Sequence, residues 1–552
     1  MLSLILSASL ALPIGDLTVQ TKSIDEKPIV IESGQNNATV VCFLGTECPM
    51  ARLYGPRLSE LASEFAGQKV QFVGINSNRQ DSKEEIAEYV QQLKIRFPVI
   101  NDEGNQIADR YSAKRTPEVF VLDSELNVIY HGAIDDQYAP GVSKSAPKRQ
   151  HLRIALKEHL SGRTVSVPTT EATGCLIGRV RKPKPNPKGI TYTKQVSRIL
   201  AKHCVECHRQ GEIGPFALED FDEVVGWADT MMEVIDNSRM PPWHADPKFG
   251  HFANAREMPE SDKQILRDWI AAGTPKGDQA DMPERLEYVQ GWSLSKEPDV
   301  ILPMRNRPYV VPADGTVEYQ YFVVDPGFTE DKWISAAQAI PGARSVVHHI
   351  IVFVRPPDGE RFRGVGWLTA YVPGQRLVDL PPAHARKVPA GSKLVFQMHY
   401  TPTGVETPDI SKVGLVFAEE KDVTHECYTL VGIDQEFEIP PDAANHKVRA
   451  KVNWLPEHGR LLGITPHMHY RGKGFQLYTD AAAKQTLLSV PSYDFNWQHT
   501  YQLAEPIPLN DVEKLHFDVT FDNSAGNPFN PDPKQWVTWV DQTWEEMAVA
   551  FF

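Results

Sequence analysis

The sequence predicts a multidomain fold in three parts: an α/β domain, a small all-α domain, and an all-β region made of two jelly-roll-like sandwiches. Three observations predict it. A chain of 552 residues exceeds the ~250–300 residues at which a single core stops growing. Apolar runs alternate with helical patterns up to about residue 165, whereas beyond about residue 295 they are short, β-type and punctuated by Pro, Gly, Asn and Asp. Between them, residues 161–190 carry Thr, Ser, Pro and basic side chains, including Arg179-Val-Arg-Lys-Pro-Lys-Pro-Asn-Pro-Lys188. Such a composition cannot bury a core and favours extended polyproline II, so residues 166–190 are expected to be a tether.

Composition narrows the function. Lys and Arg total 57 against 71 Asp and Glu, a net charge of −14 with no dense basic run, which excludes nucleic acid as the partner. With 41% hydrophobic and 23% charged residues the chain is an ordinary globular one, neither disordered nor polytopic in a membrane. Residues 1–12 (MLSLILSASLA, then Leu12) read as a signal peptide ending in the small residues Ser9 and Ala11, although no Lys or Arg precedes the apolar run; a buried first strand or an uncleaved anchor is the competing reading. No later stretch reaches ~18 apolar residues, so no integral membrane segment is expected in the mature chain.

In the first domain, 13–165, strands are expected at Ala38–Leu44, Val70–Ile75, Val119–Leu122 and Val128–Tyr130, with helices from about Met50 to Phe65 and through Glu84–Leu93. Gly45-Thr46-Glu47-Cys48-Pro49 stands at the first strand-to-helix junction, and Thr116-Pro117 precedes a later strand. These features resemble the thioredoxin-like redoxin family, in which the Cys caps a helix and a cis Thr-Pro faces it. A thiol at a helix N-terminus is stabilised as thiolate, which makes Cys48 a redox thiol candidate. Position 45 is Gly and Cys42 lies inside a strand, so C-x-x-C dithiol exchange is ruled out. Two readings stand: Cys48 is a peroxidatic or switch thiol, or it is structural and disulfide-bonded, for example to Cys175.

The helical domain, 191–280, opens on Cys204-Val205-Glu206-Cys207-His208, the C-x-x-C-H signature of c-type cytochromes, with two thiols for one haem and His208 as proximal iron ligand. No second Cys/His pair follows to complete a zinc site. Met240, on the Pro-rigid loop Asn237-Ser-Arg-Met-Pro-Pro-Trp-His244, is the expected sixth ligand, ahead of Met231, Met232 and Met258; His244 competes, or is a solvated loop residue. Ser261–Gly273 is expected to be the closing helix, with Ser261 as N-cap. Covalent haem attachment occurs outside the cytoplasm in bacteria, so a periplasmic or secreted location is implied.

In the all-β region, 295–432 and 433–552, histidines fall on strands: His348-His349 in SVVHHIIVFV, His399 in LVFQMHYTP, His467 and His469 in ITPHMHYRG. Imidazoles in apolar runs need a partner. His467 and His469 share a face at i and i+2, whereas adjacent His348 and His349 face opposite sides and need a twist or bulge to share a metal with His399. Three imidazoles in one group, and two plus the thioether of Met547 in the other, suit a copper ion cycling between Cu(I) and Cu(II).

The order HH, Q-M-H-Y, H-M-H, E-E-M resembles the type II copper, ascorbate-dependent monooxygenases, the family of the peptidylglycine α-hydroxylating enzyme and dopamine β-monooxygenase. The resemblance implies two copper ions, an electron-transfer copper on His348, His349 and His399 and an oxygen-activating copper on His467, His469 and Met547. It implies O2, a small-molecule substrate and a one-electron donor, ascorbate-like or a redox protein, as partners; the single haem c would feed electrons in. Where peptide-amidating members hold the substrate carboxylate with Arg, Asn and Tyr, this chain has Thr465, Val549 and Phe551, which disfavours a peptidylglycine and favours an apolar or aromatic C–H substrate. The family's disulfides are also missing, Cys427 being the one Cys of this region. An envelope electron-transfer or sensor protein without oxygen insertion, and a thiol peroxidase acting through Cys48, are the alternatives.

Overall fold

The structure, a computed structural model, describes residues 16–552 except 290, 361, 376–378, 453, 481–484, 513 and 541. The expected signal peptide, 1–12, lies outside the described residues. None of the described helices is long and apolar enough to cross a membrane.

The first domain is built on a sheet in the order Val99–Asn101, Val70–Asn76, Ala38–Leu44, Glu118–Asp123, Val128–Gly132. The first three strands run parallel and the last two antiparallel. Ala38–Leu44 is apolar throughout because both faces are covered: Val40 and Cys42 enter one core cluster, Val41 and Phe43 the other. The helix Pro49–Phe65 begins directly after Cys48 with Pro in its first turn, and Lys83–Gln92 is started by a capping box of Ser82 and Glu85.

The expected tether is not loose. Cys175–Leu176 forms a short strand antiparallel to Arg115–Thr116 of the first domain. Leu176 N donates to Thr230 Oγ1 of the helical domain at 2.9 Å, Lys184 N donates to Ala272 O at 3.1 Å, and Lys188 pairs with Asp268 at 2.7 Å. Extended backbone has no internal hydrogen bonds, so its N–H and C=O groups are free to join two neighbouring domains.

The helical domain packs Ser197–His203, Phe221–Asp236 and Glu260–Ala271 around Trp227, Leu266 and Trp269. The closing helix starts earlier than expected: Pro259 is its N-cap and Ser261 lies within its first turn, because extended Pro259 already terminates the preceding loop. Residues 251–254 then attach to the C-terminal sandwich as an extra edge, with Ala253 N to Gln502 O at 2.8 Å and Ala504 N to His251 O at 2.9 Å.

The remaining chain is all-β. In the first sandwich one sheet runs Val300–Pro303, Lys412–Ala418, Lys332–Ile340, His384–Val388, His425–Glu426, and the other Gln320–Val324, Lys393–Tyr400, Val347–Arg355, Trp367–Tyr371. In the second, Val431–Asp434, Ala548–Phe551, Arg460–His467, Tyr501–Pro508 faces His446–Lys451, Leu515–Phe521, Gly472–Thr479, Thr486–Val490. Alternate residues of each sheet meet in one core per sandwich, Ile350, Phe396 and Leu415 in the first and Ile464, Phe517 and Ala550 in the second. Phe396 is fully buried between the sheets. Phe396→Ala is expected to cost about 3–5 kcal/mol, read as a lower urea midpoint for the β-region in circular dichroism.

Candidate metal centre and redox sites

A β-bulge makes the first imidazole group. Along Val347–Arg355 and Lys393–Tyr400 the register pairs Val347 with Tyr400 and His349 with His399, and shifts between Val347 and His349. His348 is the extra residue, so two consecutive imidazoles reach the same side. The ligand atoms of His348, His349 and His399 lie within 4.8 Å of one another. Nδ1 of His348 and of His349 are 3.4 Å apart, and Nδ1 of His399 is buried with no hydrogen-bond partner among the described residues. Burial pushes His348 down to about 4 and holds His349 and His399 well below the ordinary range, where the neighbouring imidazoles push them further. Three neutral imidazoles whose ligand atoms converge in this way fit a metal ion.

The second group sits at the end of Arg460–His467. The rings of His467 and His469 are 5.2 Å apart at 88°. His467 Nδ1 meets Gln498 Oε1 at 2.6 Å, so the ring donates there and its Nε2 stays free. Burial and the neighbouring His467 hold His469 well below the ordinary range, partly offset by the backbone of Glu545 and Gln542. Glu546 anchors the turn: its carboxylate accepts the N–H groups of His469, at 2.9 Å, and Arg471. Burial pushes Glu546 up to about 8, against those N–H groups and the Arg471 guanidinium. The ladder between Ala548–Phe551 and Arg460–His467 ends with His467 opposite Val549, and half-buried Met547 directly precedes the first of these strands.

Phe495 joins the two groups, its ring centroid lying 5.9 Å from His348, 6.1 Å from His399 and 6.2 Å from His469. A cavity of about 650 Å³ runs between the sandwiches, lined by Trp367, Leu368, Thr465, Phe551 and Arg386. A chamber of about 20 Å³, room for about one water, shares Trp367, Thr465 and Phe551 with it and reaches His349, His467 and Gln498. Of the three positions singled out for the substrate, Thr465 and Phe551 line this space, whereas Val549 is 2% exposed and is not among its lining residues.

The C-x-x-C-H segment is tied to the first sandwich by an ion pair of Glu212 with Arg344. His208 Nδ1 is 3.1 Å from Phe216 O, which orients the ring and leaves Nε2 for a ligand bond. Cys204 and Cys207 are both free thiols. Met231, Met232 and Met258 are buried in the helical core, whereas Met240 is half-buried on its loop, so packing leaves Met240 available. This donor set suits a haem c. His244 is half-buried on its loop: its Nε2 is 3.2 Å from Ser238 O and burial lowers its proton affinity, and the loop packs on the second sandwich through Trp243, whose ring is 6.3 Å from His499. Glu212, five residues past Cys207, pairs with Arg344, four before His348, at 3.3 Å.

Cys48 is fully buried and, like Cys175, a free thiol. Its Sγ donates to Thr116 O at 2.8 Å, beside the cis Thr116–Pro117 peptide. Gly45 leaves no room for a second cysteine: a Cβ there would lie 2.7 Å from Asn78 Nδ2 and 3.0 Å from Thr116 Oγ1.

Residues 13–131 match the AhpC/TSA family. The chain is 20% identical over 118 residues to the thiol-disulfide oxidoreductase ResA of Halalkalibacterium halodurans, covering 21% of this chain and 66% of that protein. It is 24% identical over 103 residues to the ResA of Bacillus subtilis, 19% of this chain and 56% of that protein. The first domain is a thioredoxin-like redoxin. Solved structures that resemble the chain include an uncharacterized conserved protein from Geobacillus kaustophilus, 29% identical over 29% of this chain and 87% of that one with a TM-score of 0.27. Another is a secreted Mycobacterium tuberculosis disulfide oxidoreductase, 19% identical over 26% and 96% with a TM-score of 0.21. The chain thus spans less than two thirds of the length of the curated relatives it matches.

Sequence reasoning missed Phe495, Gln498, Glu546 and Arg471. The aromatic-rich run Tyr493-Asp-Phe-Asn-Trp-Gln-His499, too polar for a strand and too apolar for a free loop, was the signal for the first two. Gln498→Leu removes the acceptor that fixes the His467 ring, and metal affinity of the His467/His469 pair is expected to fall ~10–100-fold in competition titrations with Cu(II), with the three-imidazole group unaffected.

Proposed function

We propose that this chain is an extracytoplasmic oxidoreductase, a copper-dependent monooxygenase that hydroxylates a C–H bond of a small substrate with O2 and receives its electrons through a haem c on the helical domain. The observation that carries the proposal is the pair of imidazole groups facing each other across Phe495 at the end of an interdomain cavity. His348, His349 and His399 would hold one copper and His467, His469 and Met547 the other, which together supply one-electron transfer and oxygen activation. Cys204, Cys207, His208 and Met240 would hold the haem, a one-electron carrier.

The protein's own groups prepare the chemistry. Burial keeps all five imidazoles neutral near pH 7, so their lone pairs are available. Gln498 fixes which His467 nitrogen is free, and Glu546 holds the turn that carries His469. Trp367 and Phe551, 4.9 Å apart, give the approach to His467 an apolar wall that excludes water and suits a C–H substrate. Arg386 also lines the cavity, bonds Thr429 Oγ1 at 3.3 Å, and has no carboxylate partner among the described residues, which favours a substrate bearing an acceptor group. The Glu212–Arg344 pair and the ring of Tyr371, which feels both Arg344 and Cys207, link the C-x-x-C-H segment to the first sandwich.

Oxygen uptake coupled to a hydroxylated product tests the activity. Met547→Ala is expected to lower turnover at least about 100-fold by removing a ligand side chain; unchanged turnover, or a protein that binds no copper, contradicts the proposal. The pH dependence has a definite sign: a group whose proton affinity is depressed binds metal undisturbed above its own range and loses it as protons compete below. Copper affinity of the three-imidazole group is expected to be nearly independent of pH from neutral down to about 5 and to weaken as pH falls through about 4, where protons compete at His348, measured by competition titration against pH.

A further inference from the structure

We propose that Cys48 and Cys175 form a reversible dithiol–disulfide centre that exchanges with external disulfides, its second thiol delivered to the redoxin fold by the segment joining it to the helical domain. The inference is independent of the copper reading. The redoxin domain carries Cys48 at its helix N-terminus, and the space at position 45 is filled by Asn78 and Thr116, so its own loop has no place for a partner thiol. Cys175 supplies one. It lies opposite Thr116 in an antiparallel strand pair, and Thr116 O is the atom that accepts from Cys48 Sγ at 2.8 Å. Gly174 allows this approach, since a Cβ there would come 2.1 Å from Thr116 O and its φ is +140°. Cys175 packs on the cores of both domains.

The two thiols act on each other. Burial resists ionisation of Cys48, but contacts with Cys175 and Thr116 bring it down to about 6, while the same contact with Cys48 raises Cys175 well above the ordinary range. The two sulfurs therefore titrate as a pair, and when they share one proton either can carry it, Cys48 donating to Thr116 O when it does. Cys175, the partly exposed member, passes that proton to Cys48 and attacks a disulfide R–S–S–R, forming Cys175–S–S–R and releasing RS⁻. Cys48 gives the proton to that RS⁻ and attacks Cys175 Sγ, expelling the second RS⁻. The balance is one thiolate and one thiol oxidised to a disulfide, and R–S–S–R reduced to RSH and RS⁻; a dithiol reverses it. The new bond ties to the redoxin domain a strand whose next residue, Leu176, is bonded to Thr230 on the helix Phe221–Asp236, so the thiol state sets how firmly the helical domain is held.

The test uses the full-length holoprotein, exposed to glutathione disulfide, quenched by alkylation under denaturing conditions and mapped by mass spectrometry. The expected result is a cross-linked peptide pair carrying Cys48 and Cys175, dissolved by dithiothreitol and absent in Cys175→Ser, with Cys42 and Cys427 still alkylated. Amide exchange over 174–178 is expected to slow about tenfold on oxidation. Complete alkylation of Cys48 and Cys175 after oxidation, or linkage of Cys175 to any other cysteine, overturns the proposal; the wild-type map decides this even if the variant does not fold.

Discussion

One inserted residue in one strand is the constraint on which the rest of the site depends. Side chains alternate across a strand, so consecutive histidines on a regular strand cannot serve one ion. The bulge at His348 breaks the alternation once, between Val347 and His349, and the ladder to Lys393–Tyr400 resumes immediately with His349 opposite His399. The break sits at the edge of the sandwich core, where Val347 and Ile350 are fully packed, and the strands around it hold the irregularity in place. Imidazoles packed into an apolar core are costly without partners, Nδ1 of His399 has none among the described residues, and a bound ion is a partner that offsets that cost.

Around this centre the domains are placed by small polar and aromatic contacts instead of one large interface. The helical domain reaches the first sandwich through Glu212 and Arg344 and the second through Trp243 and the added edge at 251–254. His499, packed against Trp243, is the chain neighbour of Gln498, which orients His467. The segment expected to be a tether binds both of its neighbours and brings Cys175 to the redoxin thiol. Both inferred redox centres are therefore assembled from parts of two domains.

What the sequence made legible followed from periodicity and from spacing. The strand-helix alternation of the first domain, the β-type runs after residue 295, and the need for a bulge at His348-His349 were all readable, because each is a local rule about which way side chains point. The contacts made by 166–190 were not legible because composition reports that a segment cannot form its own core, not which neighbours it binds. The surroundings of His244 were not legible for a similar reason: its loop packs on the second sandwich, more than 200 residues away. Glu546 was visible only as part of a motif; that its carboxylate anchors the turn carrying His469 depends on the strand Ala548–Phe551 returning beside Arg460–His467, which no local pattern states.

The central claim is that the five histidines and Met547 are two neighbouring copper sites. An anomalous-scattering map collected at the copper edge from crystals of the copper-loaded protein tests it most directly. Two peaks are predicted, one among His348, His349 and His399 and one against His467, His469 and Met547. A map with no peak at either group, or with copper confined to surface histidines such as His384 and His425, would contradict the account.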